Sequence, residues 1–184
     1  MPFEANPDTT IAYELDPTHT TVAFRVRHMM VTWQRGRFRT VRGHLWLDRE
    51  DPTRSRIEAE IDVASIDTDV AARDEHLRSA DFFDATNHPT MRFTSTRITA
   101  LEDRLRVEGE LEIRGIRRPT VLDTDTISPE SLDPFGMLKV GTSARTTLSR
   151  KDYGLVWNAV LETGGVAVGD TVHVELDLQF QRKP

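Results

Sequence analysis

TVHVELDLQF, residues 171–180, alternates without a break: Val172, Val174, Leu176, Leu178 and Phe180 interleave with His173, Glu175, Asp177 and Gln179. Successive side chains of an extended chain point to opposite faces, so this run is a strand with one dry and one wet face. Three more runs repeat the pattern. Ile57, Ala59, Ile61 and Val63 alternate with Glu58, Glu60 and Asp62; Leu105, Val107, Leu111 and Ile113 with Arg106, Glu108, Glu110 and Glu112; Val22, Phe24 and Val26 with Ala23, Arg25 and Arg27.

Weaker strands are expected near Ile11–Leu15, Arg37–Leu47, Met91–Ile98, Thr120–Ile127 and Leu138–Leu148. In the second of these, Phe38 and Trp46 share one parity while Val41, Leu45 and Leu47 share the other, which predicts a bulge or bend near Gly43. Asp51-Pro52, Gly115, Asp133-Pro134-Phe135-Gly136, Gly164-Gly165 and Gly169-Asp170 mark the turns. Short polar links between alternating strands favour an antiparallel meander. One segment breaks the alternation. Asp69–Ser79 reads as a short helix capped by Asp67, Thr68 or Asp69, with Asp74 and Arg78 paired at i,i+4 and an aromatic turn through Phe82 and Phe83 beyond it.

The 184 residues suit one domain, taken as 1–184, with no linker or repeat inside it. Lys and Arg total 24 against 30 Asp and Glu, and the net charge of −6 argues against nucleic-acid binding by bulk charge. The chain has no cysteine, which removes disulfides, thiolate catalysis, Cys-ligated zinc and iron–sulfur clusters. The opening MPFEANPDTT has neither a basic nor an apolar leader region, and no apolar run approaches the roughly 18 residues of a membrane span. A cytoplasmic protein without a membrane span is expected.

About eight amphipathic strands and one helix must bury their dry faces, and closing the sheet into an all-β barrel does so while removing its edges. Eight strands enclose a space that side chains just fill, or that holds one small ligand. On the inward parity stand the small residues Ala59, Gly109, Thr120, Thr124, Thr142, Ala144 and Thr146. They fit either a ligand cavity or a taper in which small and large residues alternate.

Several separated segments then carry a resemblance: THTTVAFRVRHMMVTWQRGRF (18–38), VAARDEHLRSADFFDATNHPTMRFTS (70–95), GELEIRGIRRPTVL (109–122), LSRKDYGL (148–155) and VGDTVHVELDLQF (168–180). In order and spacing, from about Tyr13 to Phe180, the chain resembles the YceI family of lipocalin-like polyisoprenoid-binding proteins. The resemblance implies an elongated antiparallel lipocalin-like barrel with a helical segment near one end. It also implies a long isoprenoid or similar amphiphile inside, head towards the mouth, and a homodimer. Thr120, Thr124 and Thr126 depart from the apolar pattern of that family on their strand.

A buried amphiphile needs a dry lining and a polar anchor. The lining candidates are Phe24, Val26, Met30, Phe93, Leu111, Leu122, Val140 and Val174, with Trp157 as a lid, a tail contact or a dimer contact; ordinary core packing is the competing reading for each. His28 shares the parity of Val22, Phe24 and Val26 and is a candidate head-group contact, against the alternative of a core histidine satisfied by the protein. Arg73, His76 and Arg78 on the helix would meet a head group if the helix caps the barrel; otherwise ion pairs hold the helix down, with Asp81 closing Arg78. Arg150 is the fifth head-group candidate, against a pairing with Asp152 that closes the barrel bottom.

The expected function is non-catalytic: a binding or carrier protein for an isoprenoid-type lipid such as a polyprenyl chain or a quinone-like amphiphile. No catalytic residue, cofactor or metal is expected. The alternatives are a ligand-free interaction or stress scaffold, and an enzyme on a polyprenyl lipid using Asp74, His76 and Asp81. No nucleophile elbow, phosphate loop or dinucleotide fingerprint is present. The six histidines, His19, His28, His44, His76, His88 and His173, have no recognised ligand spacing.

Overall fold

The alternating runs become twelve strands among the residues described by the computed structural model, 5–160 and 165–183. The first four residues of the opening read for a leader, and Gly164 of the predicted turn, lie outside the described residues. The strands are β1 (Thr10–Leu15), β2 (Thr21–His28), β3 (Thr32–Phe38), β4 (Val41–Asp48), β5 (Arg56–Asp62), β6 (Ile66–Asp67), β7 (Thr90–Ala100), β8 (Arg104–Ile113), β9 (Ile116–Asp125), β10 (Ser131–Leu132), β11 (Leu138–Ser149) and β12 (Val168–Arg182), with a helix α1 (Ala71–Arg78) between β6 and β7. Eight of them close a ring in the order β11-β9-β8-β7-β5-β4-β1-β12, with β12 returning to β11, and every pairing is antiparallel. From β12 the sheet also continues through β2 and β3 to β6.

Register puts the dry parity inside. Val41, Leu45 and Leu47 of β4, Leu105 and Val107 of β8, and Phe180 of β12 are buried, while the interleaved carboxylates look outward. The predicted bend lies elsewhere than at Gly43. Gly43 pairs in register with Ala59, and the chain turns its corner at Arg39–Thr40, between β3 and β4. There the Arg39 amide donates to Ser65 O at 3.1 Å, and Thr40 O accepts from the Asp62 amide at 3.0 Å. The corner shifts the parity, so Phe38 and Val41, three residues apart, are both buried.

The helix starts two residues later than the reading of Asp69–Ser79, and its N-cap, Val70, makes no side-chain bond. Asp74 instead ties the helix to the segment before it: its buried Oδ1 accepts from the Thr68 amide at 2.9 Å and the Thr68 hydroxyl at 2.5 Å. A carboxylate in the first turn also suits the positive end of the helix dipole. With Asp74 turned back to Thr68, the predicted Asp74–Arg78 pair does not form.

Leu77, Phe82 and Phe83, from α1 and the turn after it, close one end of the barrel together with Tyr153 and Leu155. Phe83 meets Phe38 edge-on, ring centroids 5.8 Å apart. The other end holds the buried cluster of Phe93, Ile98, Leu105, Val107, Leu122 and Ala144. No helix among the described residues is long and apolar enough to cross a membrane.

Candidate functional site

The barrel interior is not filled. A cavity of about 210 Å³ runs beneath the α1 end, and the wall it meets is apolar. The small inward residues account for it only in part. Ala59, Thr120 and Thr146 face it. At Gly109 the space is taken by the Phe93 ring: an added Cβ would lie 2.5 Å from Phe93 Cζ. Phe24 lies over Gly36 in the same way, also at 2.5 Å. Glycine lets both rings lie flat against the wall instead of crossing the lumen, the arrangement that relieves a strand glycine of its missing side chain. Thr124 and Ala144 are buried at the far end, and Thr142 donates to Asp125 O at 2.8 Å. Both readings of the small residues therefore hold, at different positions, and β9 and β11 each carry both kinds.

Of the lining candidates, Phe24, Val26, Phe93, Leu111, Leu122 and Val174 stand on the cavity wall. Met30, Val140 and Trp157 do not. Met30 sits in the β2–β3 turn in a left-handed conformation (φ 59°) and is 61% exposed, because the strand ends before its parity can carry it inward. Val140 is buried opposite Phe180, packed as core. Trp157 packs on the outside of the plug, with ring centroids 4.8 Å from His76 and 5.2 Å from Phe82.

The head-group candidates are not brought together. His28 is exposed at the last position of β2, opposite Val168. Arg73 donates from Nε to the Thr68 hydroxyl, from Nη1 to Gln34 Oε1 and from Nη2 to Thr68 O, at 2.7, 2.8 and 2.8 Å. His76 Nε2 lies 2.9 Å from Asp81 Oδ2. Arg78 does not pair with Asp81 either; it donates to the carbonyls of Ala64 and Ile66 at 2.9 and 3.0 Å. These groups tie α1 to β3, β6 and the turn before β6.

Arg150 alone among them touches the cavity, through a buried side chain whose charge points away from it. Its guanidinium donates to the carbonyls of Gly169 (2.9 Å), Leu155 (2.5 Å), Trp157 (2.8 Å) and Val168 (3.3 Å), and pairs with Asp170 at 3.3 Å. Asp152, its predicted partner, is not used. Burial pulls the Arg150 pKa below its ordinary value, opposed by the Asp170 carboxylate. The residue clamps the start of β12 to the segment after Tyr153.

The sequence placed Thr120 and Thr146 on the inward parity but did not show the cleft that they share. β9 and β11 pair only at Ala144↔Thr124 and Arg145↔Asp123, then part. Thr120, Thr146, Leu148 and Tyr153 line both the cavity and a cleft of about 310 Å³ in that seam. Tyr153 is buried, its hydroxyl 3.2 Å from Thr120 Oγ1, and burial pushes its phenol pKa up. Pro119 was the available signal, since proline within a strand marks an unpaired edge.

A family model described as the YceI-like domain matches residues 13–180. A UPF0312 protein of Pseudomonas aeruginosa is 32% identical over 155 residues, 83% of this chain and 81% of the relative. Protein YceI of Shigella flexneri matches to the same extent, 32% over 155 residues with 83% and 81% covered. Among solved structures, BcnA of Burkholderia cenocepacia is similar with a TM-score of 0.78 at 19% identity, over 90% of this chain and 98% of BcnA. A polyisoprenoid-binding domain from Saccharophagus degradans gives 0.68 at 18% identity, over 94% and 99%. At these identities the solved structures speak for the shared fold.

Proposed function

The chain belongs to the YceI-like family, and from that premise we propose that it is a non-catalytic binding protein for an isoprenoid-type chain held inside the barrel. The observation that carries the reading is the apolar cavity of about 210 Å³ inside the barrel. Empty apolar volume is costly, on the order of 24 cal/mol per Å³, so a space of this size is destabilising unless occupied. A dry cavity of about 150 Å³ already admits benzene. This one therefore takes a short run of branched hydrocarbon as it stands, and a longer chain requires the Phe82–Phe83 plug or the β9–β11 seam to yield. A polyisoprenoid-binding domain among the structural neighbours supports the ligand class. The residues weighed for acid–base chemistry, Asp74, His76 and Asp81, lie off the cavity wall, which supports a binding role.

The test is organic extraction of protein purified from its own host, followed by mass spectrometry. An apolar chain recovered near one per protein is expected. Repeated recovery of none, together with failure of the pure protein to take up any prenyl compound, removes the proposal.

A further inference from the structure

We propose that the cleft between β9 and β11 is the polar end of the ligand site and receives an uncharged head group, a hydroxyl or carbonyl oxygen at the end of an apolar chain. The inference rests on the barrel being a lipid-binding site and adds where the head lies and what it is.

The seam is open by construction. On its other side β9 pairs with β8 from Arg104↔Asp125 to Ile113↔Ile116, and β11 pairs with β12 from Lys139↔Gln181 to Ser149↔Thr171. Between β9 and β11 the ladder stops at Arg145↔Asp123, although both strands run on to Ile116 and Ser149. Facing edges of a barrel normally close on each other, because unpaired backbone groups seek partners. Here Pro119 lies in the parted stretch and has no N–H to offer, and the cleft collects hydroxyls in place of ladder bonds.

Those hydroxyls are under-used. Tyr153 and Thr120 have each other across the gap at 3.2 Å. Thr120 otherwise reaches only Arg118 O, at 3.5 Å. The hydroxyls of Thr146 and Ser149 have no protein partner among the described residues. Neither is a buried orphan, so water meets them in the open cleft, and a ligand oxygen takes the place of that water. The same side chains of Thr120, Thr146 and Tyr153 border the apolar cavity, so an oxygen bound here continues directly into a chain lying in the barrel.

Charge decides the head-group class. The charged residues lining the cleft are Arg118 and Asp152, one of each sign, so their charges sum to zero; Arg118 Nε donates to the main-chain O of Asp152 at 3.2 Å. A phosphate or carboxylate head needs uncompensated cations. Arg73, Arg78 and Arg150 are committed to protein oxygens elsewhere. Hydroxyls that both donate and accept suit a neutral oxygen.

Equilibrium dialysis with labelled farnesol, farnesyl phosphate and the head-less hydrocarbon farnesane tests this on the wild-type chain, Tyr153→Phe and Thr146→Val. Each substitution is expected to weaken farnesol by about tenfold, the worth of one hydrogen bond, and to leave farnesane unchanged. Farnesyl phosphate is expected to bind the wild type no more tightly than farnesol. The half-exposed position of Thr146 keeps the test standing should Tyr153→Phe fold poorly. Equal effects on farnesol and farnesane, no effect on either, or a phosphate preference of tenfold or more each overturn the cleft assignment while leaving barrel binding intact. Failure of the wild type to bind any of the three overturns the lipid-binding reading, and the cleft assignment with it.

Discussion

The chain has two tyrosines, both buried, and they teach opposite things about the two ends of the barrel. Tyr13 donates to Glu130 Oε1 at 2.9 Å, and Glu130 in turn takes Arg49 at 2.5 Å and Arg182 at 3.6 Å. That end is a closed network. Burial, then the Glu130 carboxylate, push the Tyr13 phenol up to about 12. Nearby, burial pulls the Asp16 carboxyl upward, but bonds from Lys139, Thr18 and His19 outweigh it and hold the group well below the usual carboxylate range. Tyr153 is as deeply set, yet among the described residues its hydroxyl has only Thr120, and a cleft opens beyond it. Three residues before it, Arg150 shares the same short 3-10 turn and has its donors spent on carbonyls. Burial alone thus does not separate a structural polar group from an available one; the count of partners does.

Arg150→Met is the hardest blow to that contrast. It strands several buried carbonyls at once and is expected to cost about 3 kcal/mol or more in urea unfolding. If Arg150 instead served a ligand, the folded protein would lose affinity with little loss of stability.

The next effect comes with alkali. Both phenols have folded pKa values raised above the unfolded value, so their contribution is complete below about pH 10 and is lost as pH rises beyond it. For Tyr13, a rise from 10.0 to about 12 corresponds to roughly 3 kcal/mol lost across that window. Ultraviolet phenolate absorbance is expected to stay flat to about pH 10 and then rise together with unfolding. A phenolate that forms near pH 10 in the intact fold, and is absent from Tyr153→Phe, would show that the seam is wet at rest.

The smallest effect separates the tyrosines directly. Tyr13→Phe removes a bond to a charged acceptor and is expected to cost about 2 kcal/mol, whereas Tyr153→Phe removes one neutral bond and costs about 1 kcal/mol or less. Equal losses by thermal or urea unfolding would erase the distinction between the two ends.

The strands were legible because a half-buried strand writes its two faces into a period of two. Ile57–Val63 and Val172–Phe180 needed nothing else. The corner at Arg39–Thr40 was not legible, since parity shows that a shift occurs somewhere from Phe38 to Trp46 but not where, and the glycine at 43 drew the reading to itself. The anchor residues were misjudged for a different reason. Arg73, His76 and Arg78 stood out because charge is conspicuous in a sequence, and a charged group near a barrel end is also what a fold uses to tie its own helix down. Thr120, Thr146 and Ser149 are unremarkable as letters, and only Pro119 among their neighbours hinted at an open edge.

The sequence by itself determined most of the wall: the dry and wet faces of the long strands, and where the one α-helix interrupts them. These follow from local backbone geometry, which each residue carries with it. Which polar groups remain free was decided only by tertiary structure, because their partners lie far along the chain. Tyr13 is satisfied by a glutamate 117 positions away, and Arg150 by a carbonyl 19 positions away. Tyr153 is left available because the strand that would have covered its cleft stops pairing at Asp123. A hydrogen bond is a property of two groups brought within about 3 Å, and nothing in a local pattern fixes that distance.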